Sequence, residues 1–226
     1  MAATALLVLA GCDDDGPDQP FGERPYDHSV GTDLAGRQAA RLDLVSGVTV
    51  VDMRAKDLDG QLFRAWTPDG AKVVPTATVD GDTVRLSLRD TNGPGAAELH
   101  VELSSQVDWR IRLDGGASQQ TLDLRDGRLA GLEFGAGSAR IDASLPRPRE
   151  TVPVRMTGGA SVMDLHLPGG VPATVLIAGG AGSATIDGNT RTGIAAGTTL
   201  STPETGSNGY EVNLMAGVSA FRLDRT

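Results

Sequence analysis

The sequence predicts an all-β fold: a single β-solenoid of the parallel β-helix type, preceded by an N-terminal lipoprotein signal and a disordered tether. Three observations predict it. Apolar residues recur two apart, no stretch sustains a 3.6-residue period, and one short phrase returns along the second half at near-constant spacing. Hydrophobic residues are 39% of the chain but aromatic residues only 4%. A core of Val, Leu, Ile and Ala suits thin, regular strand stacks better than a wide globule.

The first 36 residues stand apart from this pattern. An apolar run from Ala2 to Ala10 leads through Gly11 to Cys12 and three aspartates. It is too short to cross a bilayer as a helix and has the length of a signal-peptide apolar region. Leu9-Ala10-Gly11-Cys12 resembles the bacterial lipobox, in which cleavage falls between Gly11 and Cys12 and the cysteine sulfur is acylated. No basic residue precedes Arg24, so the usual positive n-region is missing. Residues 1–11 are the expected signal peptide, and 12–36 an acidic, proline-rich tether whose composition buries too little surface to order itself. The expected location is the extracytoplasmic face of a cell membrane, held by lipid on Cys12.

From residue 37 to 226 alternation takes over. "RLDL" (41–44), "TVRLSL" (83–88), "LHVEL" (99–103) and "WRIRL" (109–113) each read as a strand with one buried face. Turns such as "VDGD" near Gly81, "TNGPG" (91–95) and "RDG" (125–127) separate them. Then comes the recurring phrase: "IRLDGGASQQTLDL" (111–124), "LEFGAGSARIDASL" (132–145), "VRMTGGASVMDLHL" (154–167), "VLIAGGAGSATIDG" (175–188) and "VNLMAGVSAFRLDR" (212–225). Each is a strand, a glycine/alanine corner ending in serine (Ser118, Ser138, Ser161, Ser183, Ser219), and a second strand. A unit of this size buries little alone; stacked in register about 4.8 Å apart, such units line one continuous narrow core. Glycine and alanine at the corners permit close backbone approach. An antiparallel sandwich with glycine-rich hairpins is the competing arrangement.

The stretches "DWRIRLDGGASQQTLDLRDGRLAGLEFGAGSARIDASLP" and "VRMTGGASVMDLHLPGGVPATVLIAGGAGSATIDG" resemble the toast-rack, adhesin-like domain, similar to the C-terminal domain of the cell-wall stress regulator LiaF. The resemblance covers roughly Gln38 to Thr226. It implies a non-catalytic envelope domain that mediates protein contacts or stress signalling. LiaF-like proteins carry transmembrane helices ahead of this domain, whereas here a lipobox and tether precede it.

Net charge is −9, and the only lysines are Lys56 and Lys72, which speaks against nucleic acid as a partner. A single cysteine forms neither an internal disulfide nor a metal cluster. His100 and His166 each sit between apolar neighbours, so alternation turns both imidazoles outward as spectators; His28 falls in the tether. No nucleophile elbow, phosphate loop or metal-ligand spacing is present, and no cofactor or small-molecule substrate is indicated.

Asp123, Asp142, Asp164, Asp187 and Asp224 each follow a corner serine by three to five residues. They are the weak metal candidates: stacked in one column they would call for Ca²⁺ or for interleaved arginines such as Arg125, Arg140, Arg155 and Arg222. Aspartates spread over a solvated face are the simpler reading. The expected function is a non-catalytic binding or sensing scaffold with a protein partner or self-association. The alternatives are an envelope-stress regulator contacting a membrane partner and a carbohydrate-active enzyme. Trp66, Trp109, Tyr26 and Tyr210 are too scattered for a sugar cleft.

Overall fold

The computed structural model describes residues 28–226; the expected signal peptide, Cys12 and most of the tether lie outside them. The described chain is all strand and loop, and none of it is a helix long and apolar enough to cross a membrane. In chain order the strands are β1 (Ser29–Asp33), β2 (Ala39–Leu44), β3 (Val48–Lys56), β4 (Gln61–Trp66), β5 (Val73–Asp80), β6 (Thr83–Asp90), β7 (Glu98–Ser104), β8 (Asp108–Leu113), β9 (Ala117–Asp123) and β10 (Arg128–Phe134). They continue with β11 (Ser138–Ser144), β12 (Val152–Met156), β13 (Ala160–Leu167), β14 (Ala173–Ile177), β15 (Ala181–Ile186), β16 (Asn189–Ile194), β17 (Thr198–Ser201), β18 (Tyr210–Leu214) and β19 (Val218–Arg225).

These strands form two mixed sheets. The ten-stranded sheet runs β1-β4-β7-β3-β9-β11-β13-β19-β15-β16, and the nine-stranded sheet runs β17-β14-β18-β12-β10-β8-β2-β6-β5. Seven strands of each sheet are mutually parallel and pair off into rungs, one strand from each sheet joined by a corner. Along the stack the rungs are residues 83–104, 39–56, 108–123, 128–144, 152–167, 210–225 and 173–186. The parallel register rules out the sandwich of glycine-rich hairpins.

Two features depart from the expected stack. Rung 39–56 carries its own corner at Ser46-Gly47 and belongs to the repeat, although its corner holds a single glycine and its serine precedes that glycine. The last rung in sequence, β18–β19, is not last in space: it lies between β12–β13 and β14–β15, hydrogen-bonded on both sides. The long gap between Ser183 and Ser219 is therefore more than an inserted loop. It holds β16 and β17, which cap the end of the stack, and the return that carries the chain back into the slot.

Strand alternation turns one row of each strand inward. Leu44, Leu113, Phe134, Met156, Leu214 and Ile177 stand in register on the nine-stranded sheet, all buried. Met53, Leu122, Ala143, Leu165 and Leu223 do the same on the ten-stranded sheet. One core cluster joins the two. The expectation of a core without large rings is corrected here: Phe63, Trp109, Phe134, Tyr210 and Phe221 are all inside. Rings are scarce, and burying them gives the largest return in apolar area per residue. Gln120 also stands in an inward row; its Nε2 donates to Ser138 Oγ, while Oε1 has no protein partner.

The corners stack, but through glycine rather than serine. Gly47, Gly116, Gly137, Gly159 and Gly217 follow one another, each with the next glycine's carbonyl oxygen 3.2 to 3.7 Å from where its Cβ would stand, Gly217 meeting Gly179. In the adjoining column glycine alternates with a residue that keeps its Cβ: Ser46, Gly115, Ala136, Gly158, Ala216, Gly179. A Cβ on Gly115 would lie 1.9 Å from the Ser46 carbonyl oxygen, and one on Gly158 would lie 2.2 Å from the Ala136 carbonyl carbon. The serines do not form one column. Ser161 and Ser219 follow the paired Ala160 and Val218, and Ser118 shares their level, but Ser138 pairs with Ala117 and Ala160 and Ser183 pairs with Ala220.

Antiparallel strands cover both ends. β4 and then β1 lie on β7, β5 on β6, β16 on β15, and β17 on β14. The β15–β16 hairpin turns on Asp187 and Gly188, both at positive φ, as a two-residue turn matched to strand twist requires. β5 carries Pro75, which removes a donor from an edge strand and discourages further pairing. The tether expected through residue 36 gives way earlier: Ser29–Asp33 is the edge strand β1, and Leu34 N–H donates to the Gly60 carbonyl at 2.8 Å. Its single apolar residue, Val30, gives no alternation to read; pairing with β4 orders it.

Tyr210 opens the inserted rung with its hydroxyl donating to the Pro146 carbonyl at 2.6 Å. Burial holds its phenol well above the usual value near 10. Because the folded state keeps this proton while the unfolded chain releases it above about pH 10, stability is complete below that pH and falls as pH rises past it. Urea titrations of the wild type from pH 8 to 11 should show that decline, and Tyr210→Phe should flatten the part above pH 10.

Candidate functional site

The outer surface of the ten-stranded sheet is a mosaic of paired charges. Register puts Asp52, Thr121, Asp142, Asp164 and Arg222 in one outward row, with His100 beside Asp52. Two residues further on, Glu102, Arg54, Asp123, Ser144, His166 and Asp224 form a second. The five expected aspartates are thus divided. Asp142 and Asp164 stand in the first row, Asp123 and Asp224 in the second, and Asp187 in the turn after β15.

Each of these carboxylates meets a cation or an imidazole. Asp123 is gripped by Arg125, with Nε and Nη2 at 2.8 and 2.7 Å, and these hydrogen bonds hold its carboxyl below the usual carboxylate range. Asp164 pairs with Arg140 and lies 3.9 Å from Arg222. Asp187 takes Arg225 at 2.9 Å. His166 bridges Asp142, at 3.3 Å, and Asp224. Among the described residues no group of three or more His, Cys, Asp and Glu side chains is placed to hold a metal. Arg140, Arg222 and Arg125 do interleave with these aspartates, but Arg155 lies on the other sheet. There it ends a ladder of alternating sign: Arg85, Asp43, Arg112, Glu133, Arg155.

The histidines read as solvent-facing spectators are outward, as alternation requires, yet both are engaged. His100 contacts Glu98 at 3.1 Å and Asp52 at 3.8 Å, and its ring stacks on Trp66 with centroids 5.2 Å apart at 17°. The Arg64 guanidinium lies 5.1 Å above the Trp66 ring and pairs with Glu102 at 2.8 Å, which also takes Lys56 at 2.5 Å. His28 contacts Thr67 Oγ1 at 3.0 Å. The Trp66–His100 cluster had no signal as a site in the sequence, because its members come from β3, β4 and β7, which join only through the crossing order of the strands.

Two concavities accompany these surfaces. A shallow depression of about 400 Å³ opens among Arg140, Asp164, His166 and Arg222. A larger open groove, about 740 Å³, runs along the loop edge opposite the glycine corners, beside the starts of β6, β2, β8 and β10 and the loop before β12. Its lining includes Ala39, Leu129 and Pro146 together with six arginines.

Taken together, the strands define an all-β fold of two mixed sheets. The chain is similar to the crystal structure of a "putative cell adhesion protein" from Clostridium sporogenes, with a TM-score of 0.66 and 17% identity over 90% of this chain and 100% of that one. A "putative adhesin" from Bacteroides fragilis aligns over 89% of this chain and 100% of that one, at a TM-score of 0.28 and 9% identity, too distant to add to the argument. At these identities the first likeness is one of fold. No family model and no curated protein matches the chain.

Proposed function

We propose that this protein is a non-catalytic, lipid-anchored binding and sensing scaffold of the bacterial cell envelope. In this reading its seven rungs are a β-solenoid of the toast-rack type, similar to the C-terminal domain of LiaF-like proteins. The observation that carries it is the division of labour in the frame. Inward rows are apolar but for Gln120, while the outer faces carry charges already paired with one another and leave a long groove at one edge. Such surfaces recognise a partner by shape and polar complementarity. The fold likeness to the Clostridium sporogenes protein supports the same reading.

Acyl chains on Cys12 would hold the scaffold on the extracytoplasmic face, since each buried methylene contributes about 0.8 kcal/mol and two or more chains give stable anchoring. Fractionation of expressing cells tests this. The wild type is expected in the membrane fraction, degraded when protease is added to cells with the outer layers opened, and Cys12→Ala is expected to be released. Retention of Cys12→Ala on membranes would contradict the anchor.

A further inference from the structure

We propose that the loop-edge groove binds a linear glycan bearing carboxylates, of the uronic-acid class; this rests on the scaffold reading and names its ligand. The groove passes the N-terminal ends of β6, β2, β8, β10 and β12, which at about 4.8 Å per strand makes a track of roughly 19 Å. That length suits a chain molecule rather than a compact metabolite.

Its charges differ in kind from those on the sheet faces. Of the arginines lining it, Arg41 is paired with Asp43 at 2.6 Å and Arg125 with Asp123. Four others, Arg110, Arg128, Arg147 and Arg149, have no carboxylate partner among the described residues. Arg128 and Arg147 are instead directed by backbone, donating to the Gln106 and Gly169 carbonyls at 2.9 Å each. Arg110 lies across the bare backbone of Gly131, where a Cβ would stand 3.5 Å from its Nε. Four uncompensated guanidinia on one edge of a chain of net charge −9 offer free N–H forks to carboxylates, the acceptor that guanidinium geometry matches in two-pronged fashion.

The same lining holds Asp108 and Glu150, which have no cationic partner among the described residues, and Asp126, whose charge acts on Arg125 without forming a salt bridge to it. Three carboxylates oppose a densely charged anion such as a nucleic acid. They suit a ligand that alternates carboxylates with hydroxyl donors, because ionised carboxylates only accept hydrogen bonds. Small apolar side chains in the lining, with Trp109 buried rather than displayed, leave room for a sugar ring without an aromatic platform. Guanidinia taking the acid groups and carboxylates taking the hydroxyls use both halves of the lining.

The test uses the full chain carrying Cys12→Ala, titrated with fluorescent oligogalacturonate and oligoalginate, with malto-oligosaccharide and oligoglutamate of similar length as controls. The wild-type groove is expected to bind at least one acidic glycan, more weakly at high salt, and neither control comparably. Arg110→Ala and Arg149→Ala, both exposed, should each weaken binding about tenfold. Arg191→Ala, which removes the same charge from β16 at the far end of the stack, should leave it unchanged. Asp126→Ala should weaken glycan binding. No binding to either acidic glycan, equal binding of oligoglutamate, insensitivity to the arginine changes, or a tighter Asp126→Ala complex each overturns the proposal. A chain that sediments with membranes through Cys12 yet binds neither glycan would sink the groove and leave the anchored scaffold standing.

Discussion

Replacing Gly115 by alanine is expected to destabilise the fold by about 3 kcal/mol, at the upper end of ordinary overpacking. The added carbon would have to stand 1.9 Å from the Ser46 carbonyl oxygen and 2.2 Å from its carbon, both backbone atoms of the adjacent rung. No rotamer change relieves that clash; the two rungs must move apart, and the hydrogen bonds from Asp114 and Gly115 N–H to the Leu44 carbonyl, at 2.8 and 3.2 Å, move with them. Gly169→Ala is the matched control. A Cβ there meets nothing within 4 Å, and Gly169 is not among the glycines at positive φ, so its effect should stay within about 0.5 kcal/mol. In thermal unfolding the Gly115 variant should melt roughly 6–12 °C lower and the control almost unchanged. Equal, small shifts in both would mean that the corners do not stack as closely as described.

Removing residues 209–226 is expected to have a still larger effect. The strands β18 and β19 contribute Tyr210, Val212, Leu214, Val218, Phe221 and Leu223 to the core, each at most 4% exposed. At roughly 1.5–3 kcal/mol per buried side chain, their burial amounts to about 9–18 kcal/mol, comparable to or above the whole net stability of a typical domain. The loss is also topological. Because this rung lies between β12–β13 and β14–β15, its absence removes four ladders, two in each sheet, and leaves one edge of each of these four strands unpaired. The truncated chain should show no cooperative unfolding transition, and Phe221→Ala, a milder form of the same injury, should cost about 3–5 kcal/mol. A truncated chain that melts at the wild-type temperature would contradict the insertion.

How much of this was open to reading from the residues divides along physical lines. Strand positions at 41–44, 83–88, 99–103 and 109–113 were legible because alternation is a local property, and all four are strands in the structure. The corner phrase identified most rungs for the same reason. Stacking order was not legible, since a repeat specifies the unit that pairs and carries no label for its neighbour. Any rung with the right register could occupy the slot taken by β18–β19. Rung 39–56 was not legible because Ser46 stands where the other corners have glycine or alanine, a place open to it because Gly115 beside it yields the space. The serines are the visible end of each phrase in the sequence, whereas the close contacts fall on the glycines before them. On the site, alternation placed His100 and His166 outward correctly, and Glu98 lies two residues from His100 on the same strand, but Asp52, Asp142 and Asp224 come from other rungs and were invisible to local spacing. The groove was hidden for a related reason: Arg110 lies on β8, Arg128 opens β10 and Arg149 is in the loop before β12, and only stacking brings the three together.

Paired cysteines introduced into the Cys12→Ala chain test the crossing order most directly. Val162, Ala220 and Ser183 share one outward row, with Ala220 registered against both of the others. Neighbouring parallel strands bring such positions within the 4.4–6.8 Å that a disulfide spans, and next-nearest strands, about 9.6 Å apart, do not. The account predicts that Val162→Cys/Ala220→Cys and Ala220→Cys/Ser183→Cys oxidise readily within one chain, while Val162→Cys/Ser183→Cys stays reduced. Ready closure of the Val162–Ser183 pair, with the Val162–Ala220 pair remaining open, would show the rungs stacked in order of sequence and would contradict it.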